Sequence, residues 1–206
     1  MRAFNNQGAS AWVVLGGIAA VVILVFVLLI PSINRIPTLD EDVNAKWSQV
    51  LNQYQRRADL IPNLVSTVKG YAKHEKDTLT QVVEARSKVS QMQIPKDILT
   101  NPQAFQMFQA NQGALTQALS KLMLVVERYP DLKANQNFLS LQSQLEGTEN
   151  RISVARRDYI EVVKTFNIEL RTIPGRWVAG IFYPDMKVKE NFSAPESVQT
   201  TPKVQF

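Results

Sequence analysis

Residues Ala11 to Ile30 read AWVVLGGIAAVVILVFVLLI, twenty positions with no charge and nothing more polar than glycine. At about 1.5 Å of rise per helical residue, such a run matches a hydrocarbon core of about 30 Å. A soluble helix keeps its apolar residues on one stripe, whereas this run is apolar all round. A cleaved signal peptide would need a shorter apolar core and a small-residue cleavage site, but Pro31-Ser32-Ile33-Asn34-Arg35 follows. The sequence therefore predicts an uncleaved transmembrane helix that meets the lipid bilayer through Ala11 to Ile30, with Trp12 at an interface. Arg2 flanks one end and Arg35 and Lys46 the other, a difference too small to assign the side on which the rest of the chain lies.

Composition narrows the chemistry. The 206 residues include no cysteine and one histidine. That excludes thiolate metal sites, thiol catalysis, disulfides and multi-histidine metal centres. A net charge of +5 without a lysine/arginine block argues against nucleic acid as a partner. The eight glycines form no phosphate loop, dinucleotide fingerprint or nucleophile elbow, so no cofactor and no enzyme activity are expected.

Beyond Pro37 the apolar residues keep helical spacing. Asp40-Glu41-Asp42 suits a helix start, with Thr38 or Asp40 as its cap. Val43, Trp47, Val50, Tyr54, Ala58, Ile61, Val65, Val68 and Ala72 follow in steps of three and four, with an irregularity at Tyr54–Ala58. Leu79, Val82 and Val89 continue the stripe. Pro62 lies inside it, where it frees the carbonyl of Ala58, and Gly70 is a second weak point. A second helix opens at Asn101-Pro102 and shows Phe105, Phe108, Gln112, Leu115, Leu119, Leu122, Val126 and Tyr129 until Pro130. A third runs from about Leu132 to Ile173, where Pro174-Gly175 stops it.

The expected fold is all-α: one amino-terminal transmembrane helix, then an antiparallel up-and-down bundle of three long helices. The first of these is either continuous or broken near Pro62–Gly70 to give four. The expected divisions are a flank over 1–10, an anchor over 11–30, a linker over 31–38 and the bundle over 39–174. A short aromatic-rich segment occupies 175–186, and 187–206 forms an extended or disordered tail.

His74-Glu75 begins like a metalloprotease helix but lacks the second histidine. Glu75 falls on the apolar stripe, so pairing with a basic residue of a facing helix is expected. Arg56-Arg57 and Arg156-Arg157 read as solvated faces, with binding of anionic lipid or an acidic partner as the alternative.

The stretch Ile36 to Val89 resembles the LemA family of bacterial membrane proteins. It carries Leu39-Asp40-Glu41, Trp47-Ser48-Gln49-Val50, Asn52-Gln53-Tyr54-Gln55-Arg56-Arg57, Asp59-Leu60-Ile61-Pro62-Asn63-Leu64-Val65 and Glu84-Ala85-Arg86. The resemblance continues through Glu149-Asn150-Arg151-Ile152 to Phe192 and Phe206, and covers nearly the whole chain. It implies a membrane anchor and an antiparallel helical bundle, and it brings no catalytic residue or cofactor. Gln55, Arg56, Arg57, Asp59, Pro62, Asn63 and Glu75 are the candidate residues, either structural or forming a contact surface. The expected function is that of a non-enzymatic scaffold, adaptor or membrane-organising protein of the bacterial inner membrane. A homo-oligomer and other membrane proteins are its expected partners. The alternative is an accessory or substrate-presenting subunit of a membrane protease or signalling enzyme; a cryptic hydrolase built on His74 and Glu75 is a third reading.

Overall fold

The computed structural model describes residues 7–193, without the side chains at positions 7–11, 13, 22, 25, 26, 28 and 29. Its elements are α1 (Gln7–Tyr71), α2 (Lys76–Gln91), a 3-10 turn (Ile98–Thr100), α3 (Pro102–Val126), α4 (Pro130–Lys133), α5 (Gln136–Arg171) and α6 (Gly175–Phe182). No strand occurs among the described residues, and the fold is all-α.

The expected anchor is helical throughout, as part of α1. Trp12, Val14, Leu15, Ile18, Val21, Ile23, Leu24, Val27 and Ile30 are exposed apolar side chains. Among the described residues no helix is long and apolar enough to cross a membrane, and seven of the twenty side chains of Ala11–Ile30 lie outside that set. The transmembrane assignment thus rests on the sequence run.

Pro31, Pro37 and Pro62 lie within α1, so residues 31–38 are helical and Asp40–Asp42 sit mid-helix, where the sequence had placed a linker and a helix start. Proline removes one ladder bond and leaves the carbonyl four residues earlier without its donor. Two of these carbonyls are taken up by side chains from other elements. The Tyr183 hydroxyl donates to the carbonyl of Ile33 at 2.8 Å. The Arg86 Nε–H donates to the carbonyl of Ala58 at 3.1 Å. The helix breaks only beyond Gly70: Ala72–Glu75 turns the chain into α2, just past the interval expected from Pro62–Gly70.

Contacts divide the chain into two compact units. The larger comprises Val43–Val163 and the described residues from Lys189 to Ser193. Its core joins α1 (Ile61, Leu64, Val68), α2 (Leu79, Val82, Ala85), α3 (Leu115, Leu119, Leu122) and α5 (Leu145), a helical bundle closed by Leu132 and Phe138. Each valine, leucine, isoleucine and phenylalanine among these contributes about 1.5–3 kcal/mol when fully withdrawn from water. Asn101 caps α3 by accepting from the Ala104 N–H at 3.1 Å, as its sequence position implies. The third helix starts later than expected, because the Asn135 side chain accepts the Phe138 N–H at 3.0 Å and separates α5 from α4.

The smaller unit holds the described residues up to Asp42 with Lys164–Val188. Ile36, Phe166 and Val178 are fully buried there. Glu169 accepts from Ser32 Oγ at 2.8 Å and pairs with Arg35 Nε at 3.3 Å. Gly175 passes so close that any Cβ would collide with the Glu169 carbonyl oxygen, which makes this a glycine-only position.

Candidate functional site: a buried arginine layer and its cavity

The α1 face that enters the larger unit reads Trp47, Val50, Tyr54, Arg57, Ala58, Ile61, Leu64 and Val68, all buried. Trp47, Val50, Tyr54, Arg57, Ile61, Leu64 and Val68 follow in steps of three and four, with Ala58 buried beside Arg57, so the seam carries a charge at one position. Arg57 is 1% exposed, which overturns its expected place on a solvated face.

A buried guanidinium is tolerated only when its fork of donors is matched. Arg57 Nη1 donates to Thr116 Oγ1 and to Glu149 Oε1, both at 2.9 Å. Its Nη2 donates to Gln112 Oε1 at 2.6 Å and to the Gln112 carbonyl at 3.3 Å. Gln112 and Thr116 come from α3 and Glu149 from α5, so three helices meet on one side chain. Gln112 was already legible as a seam residue of α3, and the fully buried Thr148 lies beside Glu149 in sequence on α5. The remaining Arg57 donor, Nε–H, has no partner among the described residues.

Arg57 also stands over the Tyr54 ring, with its central carbon 5.0 Å from the centroid. Tyr54 and Arg57 open onto a cavity of about 250 Å³ shared with Arg156, Ser153, Phe192 and Ser193. Arg156 lies over the Phe192 ring at 4.4 Å and lines the same cavity as Tyr54. Burial raises the Tyr54 pKa above its ordinary value against the opposing charges of Arg156 and Arg57.

The cavity wall depends on a stretch expected to be loose. Phe192 packs 5.1 Å from Phe105 and 5.5 Å from Tyr159, within the ring cluster around Trp47. The Tyr159 hydroxyl donates to the Glu190 carbonyl at 2.8 Å, and the Glu190 N–H donates to the Leu99 carbonyl at 2.7 Å. The start of the expected tail is therefore docked, and residues 194–206 lie outside the described residues.

The other sequence candidates disperse. Gln55 Nε2 donates to Asp59 Oδ1 at 2.8 Å on the exposed face of α1, one turn along. Arg56, Pro62 and Asn63 are exposed, and the Asn63 carbonyl accepts from Thr67 Oγ1 at 2.9 Å. Pro62 acts through the Ala58 carbonyl described above. Glu75 finds its basic partner in Arg128 at 3.1 Å, in the turn after α3 rather than on a helix, and accepts from the Tyr129 hydroxyl at 3.1 Å. His74 is exposed in the α1–α2 turn. Arg156 and the docking of Phe192 escaped sequence reasoning, because one looked like a solvated charge and the other like part of a tail.

A family model described as the LemA family matches residues 46–206. The chain is 30% identical over 169 residues to Magnetosome protein MamQ 2 of Paramagnetospirillum magneticum, across 74% of this chain and 62% of that relative. It is 30% identical over 119 residues to Protein LemA of Metamycoplasma hominis, across 57% of this chain and 49% of the relative. Magnetosome protein MamQ of Magnetospirillum gryphiswaldense is 27% identical over 169 residues, with 74% and 62% covered. The chain thus spans 49–62% of the length of these curated relatives.

Proposed function

The chain belongs to the LemA family, and from that premise we propose that it is a non-enzymatic, self-associating scaffold or adaptor, anchored in a bacterial inner membrane by Ala11–Ile30. The observation that carries this reading is α1 itself. One helix bears outward-facing apolar residues from Trp12 to Ile30 and, further along, the seam of the bundle from Val43 to Val68. A run of that length without a charge belongs in hydrocarbon rather than in water. Two of the relatives are magnetosome proteins by name, and a part in organising a membrane is the analogous role here. Alkaline carbonate extraction of cell membranes, followed by in-membrane cross-linking, tests the proposal. The full chain is expected to stay in the membrane pellet and to cross-link to itself. Release by carbonate refutes the anchor, and a monomer with no cross-linked product refutes the scaffold.

A groove of about 390 Å³ favours the accessory-subunit reading as a second one: Lys69, Lys73 and Lys76, with Glu84 as the one acid, rim an apolar floor of Leu79 and Val83. A basic rim around an apolar floor suits an acidic amphipathic segment of another protein. A cross-linked protease or signalling enzyme, lost when the three lysines are replaced by glutamine, is the outcome that supports it. A product containing only this chain counts against it.

A further inference from the structure

In the smaller unit, α6 buries Gly175, Val178 and Ala179, whereas the larger Trp177, Ile181 and Phe182 are 57%, 69% and 51% exposed. Ile173, just before the helix, is exposed as well. A helix on the surface of a water-soluble domain turns its large apolar side chains toward the core, so α6 shows the reverse of the usual arrangement. Exposed apolar side chains gathered in this way mark a contact with a partner or a membrane.

The place of α6 beside α1 points to the occupant. At one end of α6 the Tyr183 hydroxyl donates to the Ile33 carbonyl. At the other end Gly175 lies against the Glu169 backbone, and the Glu169 carboxylate holds Ser32 and Arg35. Both ends of α6 are thus tied to one turn of α1, residues 32–35, directly after the apolar run that ends at Ile30. Three residues of helix advance about 4.5 Å, and the headgroup layer beyond the hydrocarbon is about 5–8 Å deep on each side. With residues 11–30 filling the hydrocarbon, Ile33 and the Tyr183 hydroxyl fall within that layer, where tryptophan and tyrosine concentrate. The charged residues from 170 to 188 are Arg171, Arg176 and Lys187 with one acid, Asp185, all exposed. That balance suits anionic headgroups. A second copy of this chain, meeting the same face, would set one basic rim against another, and like charges oppose that pairing.

We propose that α6 is a second membrane contact, laid in the headgroup–acyl boundary where the anchor ends. Trp177, Ile181 and Phe182 are the residues it inserts, with a preference for anionic lipid. The proposal rests on the anchor reading of residues 11–30 and goes beyond it by assigning the face of the smaller unit that lies on the bilayer.

The chain has no cysteine, so one introduced cysteine takes one spin label. The full chain is reconstituted in phosphatidylcholine vesicles, with and without phosphatidylglycerol, and labelled at Ile181→Cys, at Leu24→Cys in the apolar run, or at Ser90→Cys on the exposed face of α2. Power saturation compares collision with oxygen, which concentrates in hydrocarbon, and with a neutral nickel chelate, which stays in water. The oxygen-to-nickel ratio at 181 is expected to lie between the high value at 24 and the low value at 90, and to rise with phosphatidylglycerol. Adding Trp177→Ser and Phe182→Ser should lower it to the value at 90, while helical circular dichroism stays unchanged. A lipid-like ratio at 24 with a ratio at 181 equal to that at 90 overturns the α6 contact and leaves the anchor standing. A water-like ratio at 24 overturns the anchor and this contact with it. Spin–spin broadening between labels at 181, with a water-like ratio there, assigns the face to a second copy and overturns the proposal. A ratio at 181 that is the same in both vesicles overturns the preference for anionic lipid.

Discussion

Replacing Arg57 by alanine tests whether the bundle is built around this side chain. The substitution vacates roughly 100 Å³, which at about 24 cal/mol per Å³ costs about 2 kcal/mol if the helices do not close on it. Gln112 Oε1 then loses its Arg57 donor, the 2.6 Å bond that satisfied it, at about 1–3 kcal/mol. The Gln112 carbonyl is less affected, because Thr116 Oγ1 also donates to it at 3.1 Å. Glu149, whose side chain is 39% exposed, can turn to water and adds little. The total is about 3–5 kcal/mol, the range seen when one member is stripped from a buried ion pair. An arginine on a solvated face would give a change within about 0.5 kcal/mol. Urea denaturation of the full chain in uncharged micelles, followed by helical circular dichroism, separates the two. The double variant Arg57→Met/Gln112→Leu replaces the polar layer by apolar volume and should recover most of the loss. An Arg57→Ala midpoint equal to wild type refutes the burial argument, and a double variant as unstable as the single one refutes the desolvation argument.

In the Pro62/Arg86 pair, Arg86→Met is expected to cost about 1–3 kcal/mol in the wild-type background and markedly less in a Pro62→Ala background, since alanine returns a backbone donor to the Ala58 carbonyl; a double-mutant cycle in urea measures the coupling. Gly175→Ala should destabilise the protein by about 1–3 kcal/mol through its collision with the Glu169 carbonyl, read as a lowered melting midpoint. Tyr159 is neutral when protonated, and burial, assisted by the Glu190 charge, holds its folded pKa well above the ordinary value. The native state therefore keeps this proton where the unfolded chain releases it, so stability is complete below about pH 10 and falls as pH rises beyond it. Tyr159→Phe should cost about 1 kcal/mol at neutral pH through the lost Glu190 bond and should flatten that alkaline decline in urea titrations.

Much of the helical scaffold was legible because apolar spacing reports the buried face directly. Val43, Trp47, Val50 and Tyr54 were read correctly, as were Phe105 to Val126 on α3. The reading faltered at Arg57, a buried charge that it skipped for the equally buried Ala58, and at Val65, which is half-buried where Leu64 is buried. Reading through the charge would have restored the regular spacing, yet nothing local says that Gln112, Thr116 and Glu149 will meet it. Pro62 showed which carbonyl lacks a donor, and only the packing of α2 shows that Arg86 supplies one. Phe192 is a similar case: an aromatic in a polar, proline-flanked stretch looks unanchored until the cluster around Trp47 and Tyr159 is assembled.

The capture of the Ala58 carbonyl by Arg86 also bears on how α1 and α2 can slip past each other. A seam of Val, Leu and Ala repeating every seven residues is nearly self-similar under a translation of about 10.5 Å, so hydrophobic contact alone distinguishes weakly between one alignment and the next. The Ala58 acceptor occurs once on α1, and Arg86 once on α2 at the matching height. A slipped pair would keep most of its apolar contacts while leaving a buried carbonyl and a guanidinium apart. The proline that weakens α1 locally thus provides a detent, and the two helices come to rest at a single setting.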